Sequence, residues 1–103
     1  MNDYLCILRP ARAGLVDAPT EDEISAVGAH FAYLQQLTAS GVVRLVGRTA
    51  ANGLDTMGIV LYRAETLERA EALASADPAV AQGVMTATIQ AFRVALVADS
   101  VIE

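Results

Sequence analysis

The sequence predicts an α+β domain of ferredoxin-like β-α-β-β-α-β order, with a four-stranded antiparallel sheet and two helices on one face. Three observations carry this. Four short apolar runs are bounded by turn residues. Two helix-length segments, each opened by a threonine, fall after the first and third runs. The 103 residues suit one hydrophobic core, so residues 1–103 are expected to form a single domain.

Tyr4 to Arg9 reads as the first strand, rich in large apolar residues and halted by Pro10, which has no amide hydrogen for a ladder. A loop with Gly14 and Pro19 follows. Thr20-Glu21-Asp22-Glu23 then forms a capping box that starts the first helix. Along it Ile24, Val27, Phe31, Leu34 and Leu37 recur every three or four residues, which predicts one buried face. Gly41 supplies the left-handed residue that ends the helix.

Val42 to Gly47 and Met57 to Arg63 read as the second and third strands, a hairpin joined by Ala50 to Asp55 with its Asn52-Gly53 turn. Thr66 caps a second helix of strong helix formers, Leu67 to Ala74. Asp77-Pro78 matches an N-cap and first helical position of a short helical turn, closed by Gly83. Thr86 to Val97 is expected as a long last strand. Right-handed crossovers place both helices on one face. Val60, Tyr62, Val94 and Leu96 cannot then all turn toward the helices, so a second copy is the expected cover, giving a dimeric α/β barrel.

Composition narrows the partners. Just over half of the residues are apolar, more than a lone domain of this size usually buries, which again suggests a homodimer. The net charge of −5, with no Lys/Arg block, argues against nucleic acid or an anionic membrane and for a small-molecule ligand. No run has the roughly 18 apolar residues of a membrane span, and Asp3 stands where a secretory signal carries positive charge. A cytoplasmic location is expected. Cys6 is the only cysteine, so it forms neither an internal disulfide nor a multi-thiolate metal site and reads as a buried strand residue.

His30 is the only histidine and lies at the edge of the predicted buried stripe, near Val27, Leu34 and Leu37. A solitary imidazole there is ordinarily a satisfied structural group, and no second histidine stands near it to make a metal site. Asp77 is explained by capping alone. The functional alternative is that its carboxylate fixes the His30 tautomer and stabilises the imidazolium, a pair suited to acid/base work. Arg9 and Arg48 are ordinary strand-end arginines or ligands for a substrate carboxylate or phenolate. Tyr33, one turn from His30, is a packing residue or a hydroxyl in the same cleft. Gly14, Gly47 and Gly53 lack the spacing of a phosphate-binding loop, so no nucleotide cofactor is implied.

Gly28-Ala29-His30-Phe31-Ala32-Tyr33-Leu34-Gln35-Gln36-Leu37, then Gly47, then Ala76-Asp77-Pro78-Ala79-Val80-Ala81-Gln82-Gly83-Val84, then Phe92-Arg93-Val94, together resemble the YCII (YciI-like) family over nearly the whole chain. The resemblance implies a dimeric ferredoxin-like fold in which His30 and Asp77 occupy the positions of a proposed His-Asp active-site dyad. Many members have proline after the glycine matched by Gly47; Arg48 replaces it, so the pocket rim is expected to differ.

The leading expectation is a small-molecule enzyme without metal or organic cofactor, in which His30 moves protons and Asp77 orients it. The resemblance points to isomerisation, halide elimination or hydrolysis of a small cyclic or aromatic compound. The competing expectation is a non-catalytic dimeric module that binds a ligand or a protein. An oxygen-using monooxygenase of related architecture has no motif support.

Overall fold

Alternation along the first apolar run decides the architecture. In the computed structural model, which describes residues 1–50 and 53–98, strand β1 (Asn2–Pro10) turns Tyr4, Cys6 and Leu8 to one face, all buried. β1 is central. It pairs antiparallel with β3 (Gly58–Ala64), from Asn2 opposite Ala64 to Leu8 opposite Gly58. On its other side it pairs with β4 (Met85–Phe92), from Asp3 opposite Phe92 to Pro10 opposite Met85. β2 (Val43–Arg48) adds to β3, giving the order β2-β3-β1-β4 with every pair antiparallel. Pro10 is the last residue of its strand rather than the first beyond it.

The helices cover one face. A single turn, α1 (Gly14–Asp17), occupies the stretch expected as a loop. The main helix α2 (Glu21–Ala39) begins with the expected reciprocal cap: Thr20 Oγ1 accepts from the Glu23 amide at 3.2 Å, and the Glu23 carboxylate accepts from the Thr20 amide at 2.8 Å. Beyond its end Gly41 takes a φ of 83°. α3 (Leu67–Ser75) is capped by Thr66, and α4 (Pro78–Ala81) by Asp77, with Gly83 left-handed after it. The core joins Cys6, Leu8, Val43, Val60 and Tyr62 of the sheet to Leu34 of α2 and Leu73 and Ala74 of α3. Burying a side chain the size of Leu34 contributes about 1.5–3 kcal/mol.

Three further expectations need correction. β4 ends at Phe92 rather than Val97, because β1, its only ladder partner among the described residues, runs just one residue, Asn2, beyond the Asp3–Phe92 pair. The expected helix stripe is only partly buried: Leu34 is sealed, but Ile24 and Phe31 are each 58% exposed, and Ala26 and Glu23 are buried instead. Val60 and Tyr62 both face the helices, whereas Val94 and Leu96 lie past the last strand. The uncovered sheet face is therefore lined by Leu5, Ile7, Ile59 and Leu61, half-buried, with exposed Leu45 alongside. The 50–55 link holds a 3₁₀ turn over Gly53–Asp55, and the Asn52 of the expected Asn-Gly turn lies outside the described residues. Among the described residues no helix is long and apolar enough to cross a membrane.

Candidate functional site

Local helix chemistry fixes the acidic half of the site. Asp77 stands between α3 and α4 with extended backbone (φ −60°, ψ 125°), and its Oδ1 accepts from the Ala79 amide at 3.0 Å. Capping turns the carboxylate inward, where it is completely buried. A buried carboxylate needs more partners than one amide, and His30 supplies one: α2 runs beside α4, and His30 Nδ1 lies 2.8 Å and 2.7 Å from the two Asp77 oxygens. A carboxylate only accepts, so Nδ1 carries the hydrogen and the neutral ring keeps Nε2 as its basic nitrogen. Nε2 has no hydrogen-bond partner among the described residues, and none of their buried side-chain nitrogens or oxygens is unpaired; Nε2 is therefore reached by solvent.

His30 lines a cavity of about 610 Å³ between the first half of α2, α1 and one end of the sheet. Leu8, Val60 and Met85 border it from the sheet, Leu15 and Val16 from α1, and Val27 and Phe31 from α2. Its size is that of ordinary small-molecule sites, and so is its makeup of mostly apolar walls with a few polar groups. Among the described residues, the ionisable ones bordering it (Arg9, His30, Arg48) are all basic.

The α1 flank is tied in place. Arg12 Nε donates to Glu23 Oε2 at 3.0 Å, and its Nη2 donates both to the other Glu23 oxygen and to the Ala18 carbonyl. The Arg12 guanidinium, with the Thr20 amide, holds the Glu23 carboxyl at a pKa of about 2. Gly14 lies close beside this fork: a Cβ there would come 2.2 Å from Arg12 Nη1, so the guanidinium would have to shift. The capping box was legible in the sequence. Its arginine partner was not, because a contact between a loop and a helix eleven residues on leaves no periodic trace.

The other residues singled out from the sequence separate. Arg48 sits opposite Gly58, hence on the helix side, and lines the cavity. Arg9 also borders it, but alternation sends its side chain to the uncovered face, where Nη2 lies 3.7 Å from Met57 Sδ. The Tyr33 hydroxyl donates to the Leu73 carbonyl at 2.8 Å, bracing α2 against α3, and Tyr33 does not line the cavity. Burial, with Asp77 nearby, pushes the Cys6 thiol up to about 11 and raises the Tyr33 and Tyr62 phenols, so none of these offers an anion at neutral pH. No cluster of three or more metal-ligating side chains occurs among the described residues.

Residues 3–92 match the model of the YCII-related domain. No curated protein matches the chain. Among solved structures, 5-chloro-2-hydroxyhydroquinone dehydrochlorinase from Burkholderia phenoliruptrix AC1100, in complex with 2,5-dihydroxybenzoquinone, superposes with a TM-score of 0.62. The similarity covers 87% of this chain and 93% of that one at 23% identity, which establishes a shared fold.

Proposed function

The chain belongs to the YCII-related domain family, and from that premise we propose a small-molecule enzyme in which His30 is the general acid/base and Asp77 orients it. The observation that carries the proposal is the Asp77-anchored Nδ1 of His30, 2.7 Å from the carboxylate, on a residue that lines a mostly apolar cavity and whose other ring nitrogen has no partner among the described residues. Asp77 holds one tautomer and stabilises the imidazolium formed when Nε2 takes a proton. Of the reactions such a pair supports, halide elimination is favoured by the neighbour of like fold, a dehydrochlorinase. Nε2 removes a proton, chloride leaves with its bonding electrons, and the product is the substrate less HCl. Isomerisation and hydrolysis use the same proton transfer. No step draws on a metal or organic cofactor.

Chloride release from 5-chloro-2-hydroxyhydroquinone and related chlorinated dihydroxybenzenes is the direct test. His30→Ala is expected to lower turnover by about 10²–10⁴-fold with an unchanged far-ultraviolet spectrum. Turnover equal to wild type would refute the proposal.

A second reading has its own observation: Asp77 also caps α4, and the His30 contact ties α2 to α4. On this reading the protein binds a ligand without changing it. Asp77→Asn separates the two, because asparagine can still cap; a loss of turnover with ligand affinity retained favours catalysis.

We also propose a homodimer through the sheet face bearing Leu5, Ile7, Ile59 and Leu61, a contiguous apolar surface that no helix covers. Leu61→Glu is expected to yield monomers in sedimentation, and an unchanged dimer would exclude this face.

A further inference from the structure

Resting on the reading of this cavity as the substrate site, we infer that it selects a single-ring compound bearing a planar oxyanion, a carboxylate or a phenolate, and that Arg48 is the residue that binds it. The first observation is the sign of the lining. The whole chain carries −5, yet among the described residues no aspartate or glutamate borders the cavity; the ionisable residues that do are Arg9, whose side chain turns to the uncovered sheet face, His30 and Arg48. Asp77 is completely buried behind the His30 ring, and Glu23 is occupied by Arg12. Apolar walls of low polarisability concentrate the field of the Arg48 guanidinium on the space they enclose.

The second observation is where Arg48 stands. It is the last residue of β2, on the helix side, in the cross-strand row Arg48–Gly58–Leu8. Gly58 beside it presents no side chain, and a Cβ there would come within 3.4 Å of Leu8 Cβ. The Gly58 position is thus closed by Leu8 rather than by a side chain of its own, and Arg48 beside it lines the cavity. Among the described residues Arg48 forms no ion pair and no hydrogen bond, unlike Arg12 and Arg44, which are held by Glu23 and Asp3. An unengaged guanidinium presents a rigid fork of donors matched to the two oxygens of a carboxylate or the one of a phenolate. The volume accommodates one ring with substituents, and Val27, Phe31, Val60 and Met85 provide the apolar contact for its faces.

The bound oxyanion fixes the orientation of the ring and with it the position presented to His30. Binding can be measured without turnover, which keeps this inference separable from the catalytic proposal. Calorimetric titration would use benzoate, 4-nitrophenolate and, as a neutral counterpart of benzoate, benzamide. Wild type is expected to prefer at least one of the two anions over benzamide by about tenfold, a preference that shrinks with added salt. Which anion is preferred distinguishes a carboxylate from a phenolate substrate.

Arg48→Gln is expected to abolish the preference while leaving benzamide binding unchanged; Arg48→Lys is expected to keep only part of it, and Arg9→Gln all of it. His30→Ala is expected to bind the preferred anion, so a catalytically unaffected His30→Ala would sink the enzymatic proposal and leave this one standing. Equal binding of anions and benzamide by wild type, an intact preference in Arg48→Gln, its loss in Arg9→Gln, or no binding of any of the three probes would overturn it.

Discussion

The two halves of α2 carry the same kind of apolar repeat and meet different fates. In the second half Leu34 is 2% exposed, Leu37 packs against the core, and the Tyr33 hydroxyl is fastened to Leu73. In the first half Ile24 and Phe31 are largely exposed, while Val27 and His30 line a cavity. What differs is the opposing surface. The second half lies over a core that includes Val43, Tyr62 and Leu73, whereas the first half faces a part of the sheet that includes Gly58. A helix repeat states which residues share a face, and burial also requires a side chain on the other side to meet them.

That contrast is open to direct attack. The largest effect is expected from Leu34→Ala, which empties a sealed position and should cost about 2–5 kcal/mol in denaturant unfolding. Val27→Ala enlarges a cavity that already exists, so its cost is expected near 1 kcal/mol, the lost transfer term without a new void. Equal costs at the two positions would show that the halves do not differ in packing.

Gly58→Ala sharpens the same point from the sheet. The added methyl comes within 3.4 Å of Leu8 Cβ, a contact relieved by a shift of a few tenths of an ångström. Unfolding free energy is expected to change by less than about 1 kcal/mol, with a severalfold loss of affinity for the preferred anion. A smaller loss of affinity than of stability would place the ligand elsewhere.

A still smaller effect should appear at Cys6. Its thiol is buried on the helix side of β1 and raised to about 11, so alkylation by iodoacetamide at neutral pH is expected to be slow and to accelerate only on unfolding. Rapid labelling of native protein would show that this end of the sheet opens.

Most of the scaffold was legible because each element carries its own local signal. Thr20, Thr66 and Asp77 announce helix starts, Gly41 and Gly83 mark left-handed exits, and alternation in β1 and β3 separates the two sheet faces. The pairing of His30 and Asp77, 47 positions apart, stands in the sequence as one alternative that the family resemblance alone favours, since neither helix periodicity nor capping says which helix end lies beside which. The excess length assigned to β4 has the same origin. Arg93 to Val97 has strand composition, but a strand stops where its neighbour stops, and that information lies in β1. The exposure of Ile24 and Phe31 was hidden for the same reason, because it depends on what other elements place opposite them.

The Arg12–Glu23 fork supplies the remaining test of the comparison, since it ties α1, and with it one flank of the cavity, to the loosely packed half of α2. Glu23 is held near pKa 2, against an ordinary value of 4.5, first by the Arg12 side chain and then by the Thr20 amide. Between those values the unfolded chain binds more protons than the folded one, so stability rises with pH across the window. The contribution is complete above about pH 4.5 and lost as pH falls through about 2. Glu23→Gln cannot titrate, and Arg12→Ala removes the larger cause of the depressed value. Both variants are therefore expected to lose less stability than wild type between pH 5 and pH 2 in urea unfolding, with Arg12→Ala retaining the part due to Thr20. Parallel pH profiles in all three proteins would mean that the fork does not distinguish folded from unfolded chain, and that the cavity flank is held by Leu15 packing alone.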